Sequence, residues 1–194
     1  ERKYNKFFSY KNDERSKRSF LYKNFAKSNS YNTRFTFSYF RYVNFFKSNM
    51  KFCGFNGAVF DGTEFKFANL KGSRFKGACF KDVIFLNTKL DKTVFNDAMF
   101  ENVIFIGSSL KRARGISKST SGITIYESMP SISINDELKK AISDALKNTF
   151  IKESEVLSFK KKKRLHTINI IKLLNRFTEE QLIIGLKKAK EKID

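Results

Sequence analysis

One histidine, two cysteines and a scatter of carboxylates are what this 194-residue chain offers for bond-making chemistry. Nucleophilic catalysis needs a thiol or hydroxyl beside a base, and a metal site needs several converging His, Cys or carboxylate ligands. His166 leaves no His pair, and its place on an expected helix after a basic run suits an ordinary surface or core residue. Cys53 falls in step with a series of small residues and reads as packing, whereas Cys79 points outward with no second Cys or His near it in sequence. Asp61, Asp82, Asp91, Asp97 and Glu101 read as separate solvated charges. Gly57, Gly62, Gly72 and Gly77 recur at turning points rather than forming a phosphate loop. No catalytic residue, metal or cofactor is expected.

The basic residues say more. Lys and Arg number 39 against 19 acids, a net charge of +20, which attracts phosphate, acidic protein or anionic lipid. The same Lys-, Asn-, Phe- and Ile-rich make-up is what an AT-rich coding sequence yields, so the excess has two readings. The first sixty residues carry thirteen cations against three acids, and residues 61–112 carry nine against six. The candidate binding surface is therefore placed on the N-terminal side: Tyr22, Arg41, Tyr42, Phe46, Lys51 and Lys71. Cations interleaved with aromatics can hold single-stranded nucleic acid by charge and stacking. The competing reading is a solvated lysine-rich face with structural aromatics. A second basic run, Lys160, Lys161, Lys162, Lys163 and Arg164, would meet phosphate, anionic lipid or an acidic partner, or simply water.

The elements that position these residues follow from a period of five. From Phe20 to Leu110 every fifth residue is central: fourteen Phe, four Leu or Met, and one Ser. A helix repeats its buried face every ~3.6 residues and a strand every ~2, so five fits neither. The residue two before each is small or β-branched, as at Ser38, Val43, Cys53, Ala58 and Ala68. Sorted modulo twenty, Phe20, Phe40, Phe60, Phe80 and Phe100 form one column, and Ser30, Met50, Leu70, Leu90 and Leu110 form one without Phe. Twenty residues thus make one square coil with five on each side. The central and small residues point inward, and like stacks on like. At the usual inter-strand spacing of ~4.8 Å the coil is about 23 Å long.

Residues 18–112 resemble the pentapeptide-repeat family, whose unit is summarised as A(D/N)LXX. Ala68-Asn69-Leu70-Lys71-Gly72 fits it well, and Ser48-Asn49-Met50, Ala58-Val59-Phe60, Ala78-Cys79-Phe80 and Ala98-Met99-Phe100 fit more loosely. The resemblance implies a mainly β protein, a right-handed quadrilateral β-helix, followed here by a small α-helical C-terminal region. It says less about function, which in repeat proteins sits on outward positions.

Residues 1–17 lose the frame and read as an N-terminal cap or arm, with a segment upstream of Glu1 left open; 113–134 read as a linker. From Asn135 the period turns helical. Leu138, Ala141, Ile142, Ala145 and Leu146 form one stripe behind an Asn135 cap, and Leu165, Ile168, Ile171, Leu174 and Phe177 form a second. A capping box at Thr178–Gln181 opens a third helix carrying Leu182, Leu186, Ala189 and Ile193. Ile84, Leu86, Ile104 and Ile106 stand at outward coil positions as an apolar patch. Either the chain's own helices cover it, or a partner or second copy docks there, giving a homodimer through the C-terminal half.

Some pentapeptide-repeat proteins are similar to DNA in shape and charge and modulate topoisomerases. That mechanism needs a negative surface, and residues 1–112, the coil with its N-terminal arm, sum to +13 by Lys, Arg, Asp and Glu content. The leading expectation is a non-enzymatic scaffold, bacterial by resemblance, whose basic coil meets an acidic partner, a protein before nucleic acid. The alternative is a substrate-recognition module of a larger bacterial effector ubiquitin ligase. No transmembrane segment or signal peptide is evident, which fits a cytoplasmic protein, or a secreted effector if the chain is part of a longer one.

Overall fold

The structure, a computed structural model, describes residues 9–153, 156–159 and 164–192. The chain divides into two compact units, Glu1–Met129 and Pro130–Asp194.

The first unit is a β-solenoid of about five turns. Its strands are three or four residues long, since each side has only that much straight chain: β1 (Ser19–Leu21), β2 (Tyr39–Arg41), β3 (Val59–Asp61), β4 (Glu64–Lys66), β5 (Cys79–Lys81), β6 (Ile84–Leu86), β7 (Met99–Glu101), β8 (Val103–Ile106) and β9 (Ile123–Tyr126). One side of the coil is the parallel sheet β1-β2-β3-β5-β7, and the next is β4-β6-β8-β9. The other two sides are built from parallel single-residue bridges such as Asn29↔Asn49↔Asn69 and Arg34↔Gly54↔Arg74. Partners are twenty residues apart through β9, as in Phe40↔Phe60, Phe60↔Phe80 and Phe105↔Ile125.

Inside, the central residues stack ring on ring. Phe40 and Phe60 lie 5.0 Å apart and 6° from parallel; Phe55 and Phe75 lie 4.9 Å apart at 5°; Phe85 and Phe105 lie 4.6 Å apart at 3°. Neighbouring columns meet edge to face, as Phe35 and Phe40 do. Both arrangements suit the ring quadrupole, in which the slightly negative face prefers an offset or edge contact. The small inward residues carry a second ladder. The Ser73 hydroxyl donates to the Met50 carbonyl at 2.6 Å and accepts from the Cys53 N–H at 3.2 Å, and Ser108 repeats the pattern with Phe85 and Thr88.

The corners differ from what propensity alone suggests. All twenty residues at the turning position, from Asn12 to Gly107, have φ between 46° and 71°. That is the left-handed region, which costs ordinary side chains roughly 1–2 kcal/mol. Only five of the twenty are Gly, while Tyr22, Phe37, Tyr42, Phe52 and Phe67 are aromatic. The conformation is held because each turn aims its N–H at the next coil: Tyr22 donates to Arg41 O at 3.0 Å and Phe37 to Asn56 O at 2.9 Å.

Both expected coil boundaries move. Ser9 already bridges Asn29 and Glu14 bridges Arg34, so residues 9–17 belong to the first turn although most of the Phe frame is absent there; residues 1–8 lie outside the described residues. At the other end β9 pairs with β8 inside the segment read as a linker, using Ile123 and Ile125 against the core. The offset is still twenty, as in Phe105↔Ile125, but the five-residue frame holds Gly115 and Thr120 in place of Phe or Leu, which hid the strand. The apolar patch is also corrected. Ile84, Leu86, Ile104 and Ile106 are buried, stacked as Ile84↔Ile104 and Leu86↔Ile106. Sequence phase marks a position as outward but not as open to water.

The second unit contains α1 (Asp136–Ala145), α2 (Thr149–Glu153), the hairpin β10 (Ser158–Phe159) and β11 (Arg164–Leu165), α3 (Thr167–Leu174) and α4 (Glu179–Lys192). Asn135 caps α1, its side chain accepting from Leu138 N–H at 2.7 Å. The capping box forms too: Thr178 Oγ1 accepts from Gln181 N–H at 3.2 Å, and Gln181 Oε1 from Thr178 N–H at 3.0 Å. The core gathers Leu138, Ile142, Ile151, Leu157, Ile170 and Leu182. Leu165 sits in the hairpin rather than on a helix, and Phe177 is exposed past the end of α3.

Candidate functional site

Among the described residues, His, Cys, Asp and Glu do not converge on one place. Cys53 is buried and its thiol donates to Ser30 O at 2.6 Å; burial pushes its pKa up to about 12, leaving no thiolate near neutral pH. His166 is buried at the start of α3, where its Nδ1 accepts from Asn169 N–H at 3.4 Å as a helix cap. Among the described residues no group of three or more His, Cys, Asp or Glu could hold a metal ion. Nor is any described helix long and apolar enough to cross a membrane.

The candidate basic and aromatic residues are brought to different places. Tyr22 and Tyr42 share a corner beside the β1-β2-β3-β5-β7 sheet, their rings 5.3 Å apart and 17° from parallel. Arg41 belongs with them. Its guanidinium lies 5.1 Å from the centre of the Tyr42 ring and 3.1 Å from Asp61, and hydrogen bonding to Tyr42 pushes its pKa further up. Phe46 lies on the adjacent side, half-buried against Phe67 with Lys47 over its ring. Lys51 and Lys71 stand two corners further round the square, diagonal to Tyr22 and Tyr42, because they sit nine residues on in the twenty-residue phase. The six residues therefore form at least two surfaces rather than one. Lys160–Lys163 lie outside the described residues; Arg164 enters β11 by its backbone.

The exposed aromatics have a structural occupation. A Cβ on Gly57 would run into the Phe37 ring, one on Gly62 would come within 2.5 Å of the Tyr42 ring, and one on Gly72 within 2.5 Å of Phe52. Each ring lies flat across the glycine of the next coil, so one of its faces is already used.

Charge is arranged oppositely on opposite sides. Along the β2-β3-β5-β7 edge the register stacks Arg41, Asp61, Lys81 and Glu101, alternating in sign, with pairs at 3.1 Å and 2.9 Å. On the next side Lys66 is held by Glu64 at 2.7 Å. The two bridge-built sides carry more cations than their carboxylates can pair. Lys51 stacks on Lys71, and the nearby carboxylates Asp13, Glu14 and Asp91 are each taken by an arginine: Arg15, Arg34 and Arg112. Lys71, Arg74, Lys76, Lys89 and Lys92 are exposed and meet no carboxylate among the described residues. Sequence reading missed Arg74 and Lys89; applying the modulo-twenty phase to outward positions would have found them.

Residues 48–87 match the family model described as pentapeptide repeats, in eight copies. No curated protein matches the sequence. Among solved structures, the pentapeptide repeat protein Rfr23 of the cyanobacterium Cyanothece 51142 is 13% identical, with 53% of this chain and 59% of that one covered and a TM-score of 0.38. HetL, a pentapeptide repeat protein involved in heterocyst differentiation regulation in Nostoc sp. strain PCC 7120, is 7% identical over 62% and 60%, with a TM-score of 0.35. A pentapeptide repeat protein of the Arabidopsis thaliana thylakoid lumen is 17% identical over 82% and 90%, with a TM-score of 0.40. The chain spans about three fifths of the length of the first two. The eight matched copies lie in the same twenty-residue frame that continues on both sides of them, so residues 48–87 of the coil are pentapeptide repeats.

Proposed function

We propose that this protein is a non-enzymatic scaffold whose rigid basic coil binds an acidic macromolecule, a protein in preference to nucleic acid. The observation that carries the reading is the Lys51–Lys71 stack beside exposed cations with no carboxylate partner. Like charges facing each other across neighbouring strands destabilise a sheet. The same coil alternates sign along Arg41, Asp61, Lys81 and Glu101, so stacked lysines are not forced by the fold. An anionic partner relieves that repulsion. Composition bias alone does not set a sign-alternating column on one side of the coil and stacked lysines on another.

The test is capture by the immobilised full chain from nuclease-treated lysate, with the isoelectric points of retained proteins measured against those of the input. The reading expects a set shifted to low isoelectric point, released as salt rises. Retention that vanishes on nuclease treatment would make nucleic acid the partner. No shift in isoelectric point would remove the charge-based reading.

A further inference from the structure

Resting on that reading, the structure carries the inference one step further, to the place and the chemistry of contact. A cleft of about 340 Å³ opens at one corner of the coil, lined by Tyr31, Asn32, Phe52, Gly72 and Arg74. It separates the side bearing Lys51, Lys71 and Lys89 from the side bearing Arg74 and Lys76. Charges on both sides therefore face one strip along this corner, which continues through Lys92 and Arg112. We infer that this corner binds an extended acidic protein segment, with one Glu or Asp side chain entering the cleft against Arg74.

Two features favour carboxylates on a peptide over a phosphodiester chain. The rings at the corner are already engaged: Phe52 lies across Gly72 and meets the Tyr31 ring edge to face at 5.6 Å, and Lys51 stands 5.8 Å from the centre of Tyr31. Single-stranded nucleic acid draws much of its affinity from bases stacking on free ring faces, and one face of Phe52 is already taken by Gly72. Finally, the cleft offers an amide at Asn32 and a guanidinium fork at Arg74, a donor set suited to a bidentate carboxylate.

The experiment compares a fluorescent glutamate-rich peptide of about 20 residues with a single-stranded oligonucleotide of equal charge, titrated with the full chain at about 50 and 150 mM salt. Two double variants are matched in charge: Lys71→Glu/Arg74→Glu at the corner, and Arg18→Glu/Lys23→Glu on the far side, all four exposed. Circular dichroism checks that both fold. The inference expects the peptide Kd to rise at least tenfold in the corner variant and less than threefold in the far variant, with the oligonucleotide binding more weakly than the peptide. Equal weakening in both variants overturns the assigned corner while leaving acidic binding standing. Tighter oligonucleotide binding overturns the peptide assignment. Absence of binding by either probe at the lower salt overturns the broader reading as well.

Discussion

The Phe37 ring lies across Gly57 of the next coil, so that a single methyl group on the glycine would collide with two ring carbons. Both residues have left-handed φ, 54° and 64°. Gly77, one coil further, has the same φ of 64° and nothing within 4 Å of the place a Cβ would occupy. This pair separates backbone strain from ring packing. Gly77→Ala is expected to cost about 1 kcal/mol, the left-handed penalty alone. Gly57→Ala is expected to cost about 2 kcal/mol, because the ring must also leave. In a Phe37→Ala background the two glycines should become equivalent in urea unfolding.

Serine has opposite value at two inward positions. Ser30 fills the column of Met50, Leu70 and Leu90, and its hydroxyl is buried without a hydrogen-bond partner. Ser30→Ala is expected to raise stability by about 1 kcal/mol, and Ser30→Met by more if the column accepts it. Ser73 both donates and accepts between coils. Ser73→Ala should lower stability by about 1–3 kcal/mol, since it leaves the Cys53 N–H and the Met50 carbonyl short of a partner. Thermal unfolding of the three variants reads both signs at once.

Cys53 predicts a pH dependence. Its pKa rises from 9.0 to about 12 on burial, so the folded chain holds the thiol proton more tightly than the unfolded chain. The resulting stability is complete below pH ~9 and is lost as pH climbs from there toward 12, at up to about 1.4 kcal/mol per pH unit. The difference between the native sequence and Cys53→Ala, followed from pH 8 to about 10.5, isolates this contribution from lysine and tyrosine titration. In the folded protein a thiol reagent should modify Cys79, which is partly exposed, well before Cys53.

The helical unit tests a local rule. Asn135→Ala removes the side chain that accepts from Leu138 N–H and should cost about 1 kcal/mol, with Asn135→Asp close to neutral. Loss of helical signal at 222 nm on heating, compared between the two variants, checks it.

The inward columns were legible because the Phe and Leu frame never slips, and a packed axis tolerates no other phase. The caps at Asn135 and Thr178 were legible for the same local reason: a side-chain acceptor stands beside unpaired N–H groups. Helix α2, five residues long, and the two-residue strands of the hairpin are too short to show a period. The left-handed backbone at Tyr22, Tyr42 and Phe37 ran against propensity, since long-range hydrogen bonds between coils override it. The candidate surface was misassembled for a different reason. Tyr42 and Lys51 are nine residues apart, close in sequence, yet nine residues of this coil carry the chain almost halfway round its perimeter.

That geometry makes length a coordinate of orientation. An insertion of twenty residues would add one storey of about 4.8 Å and leave every column where it stands. An insertion of five would keep all rings inward and all turns intact, yet swing everything downstream by a quarter turn. Placed after Gly62, such a segment would carry Lys71, Arg74 and Lys89 onto different walls from Lys51, with Leu70 moved from the Met50 column to the Phe55 column. The coil thus behaves as a combination lock, whose outer message is set by counting residues and whose inner columns admit one setting best.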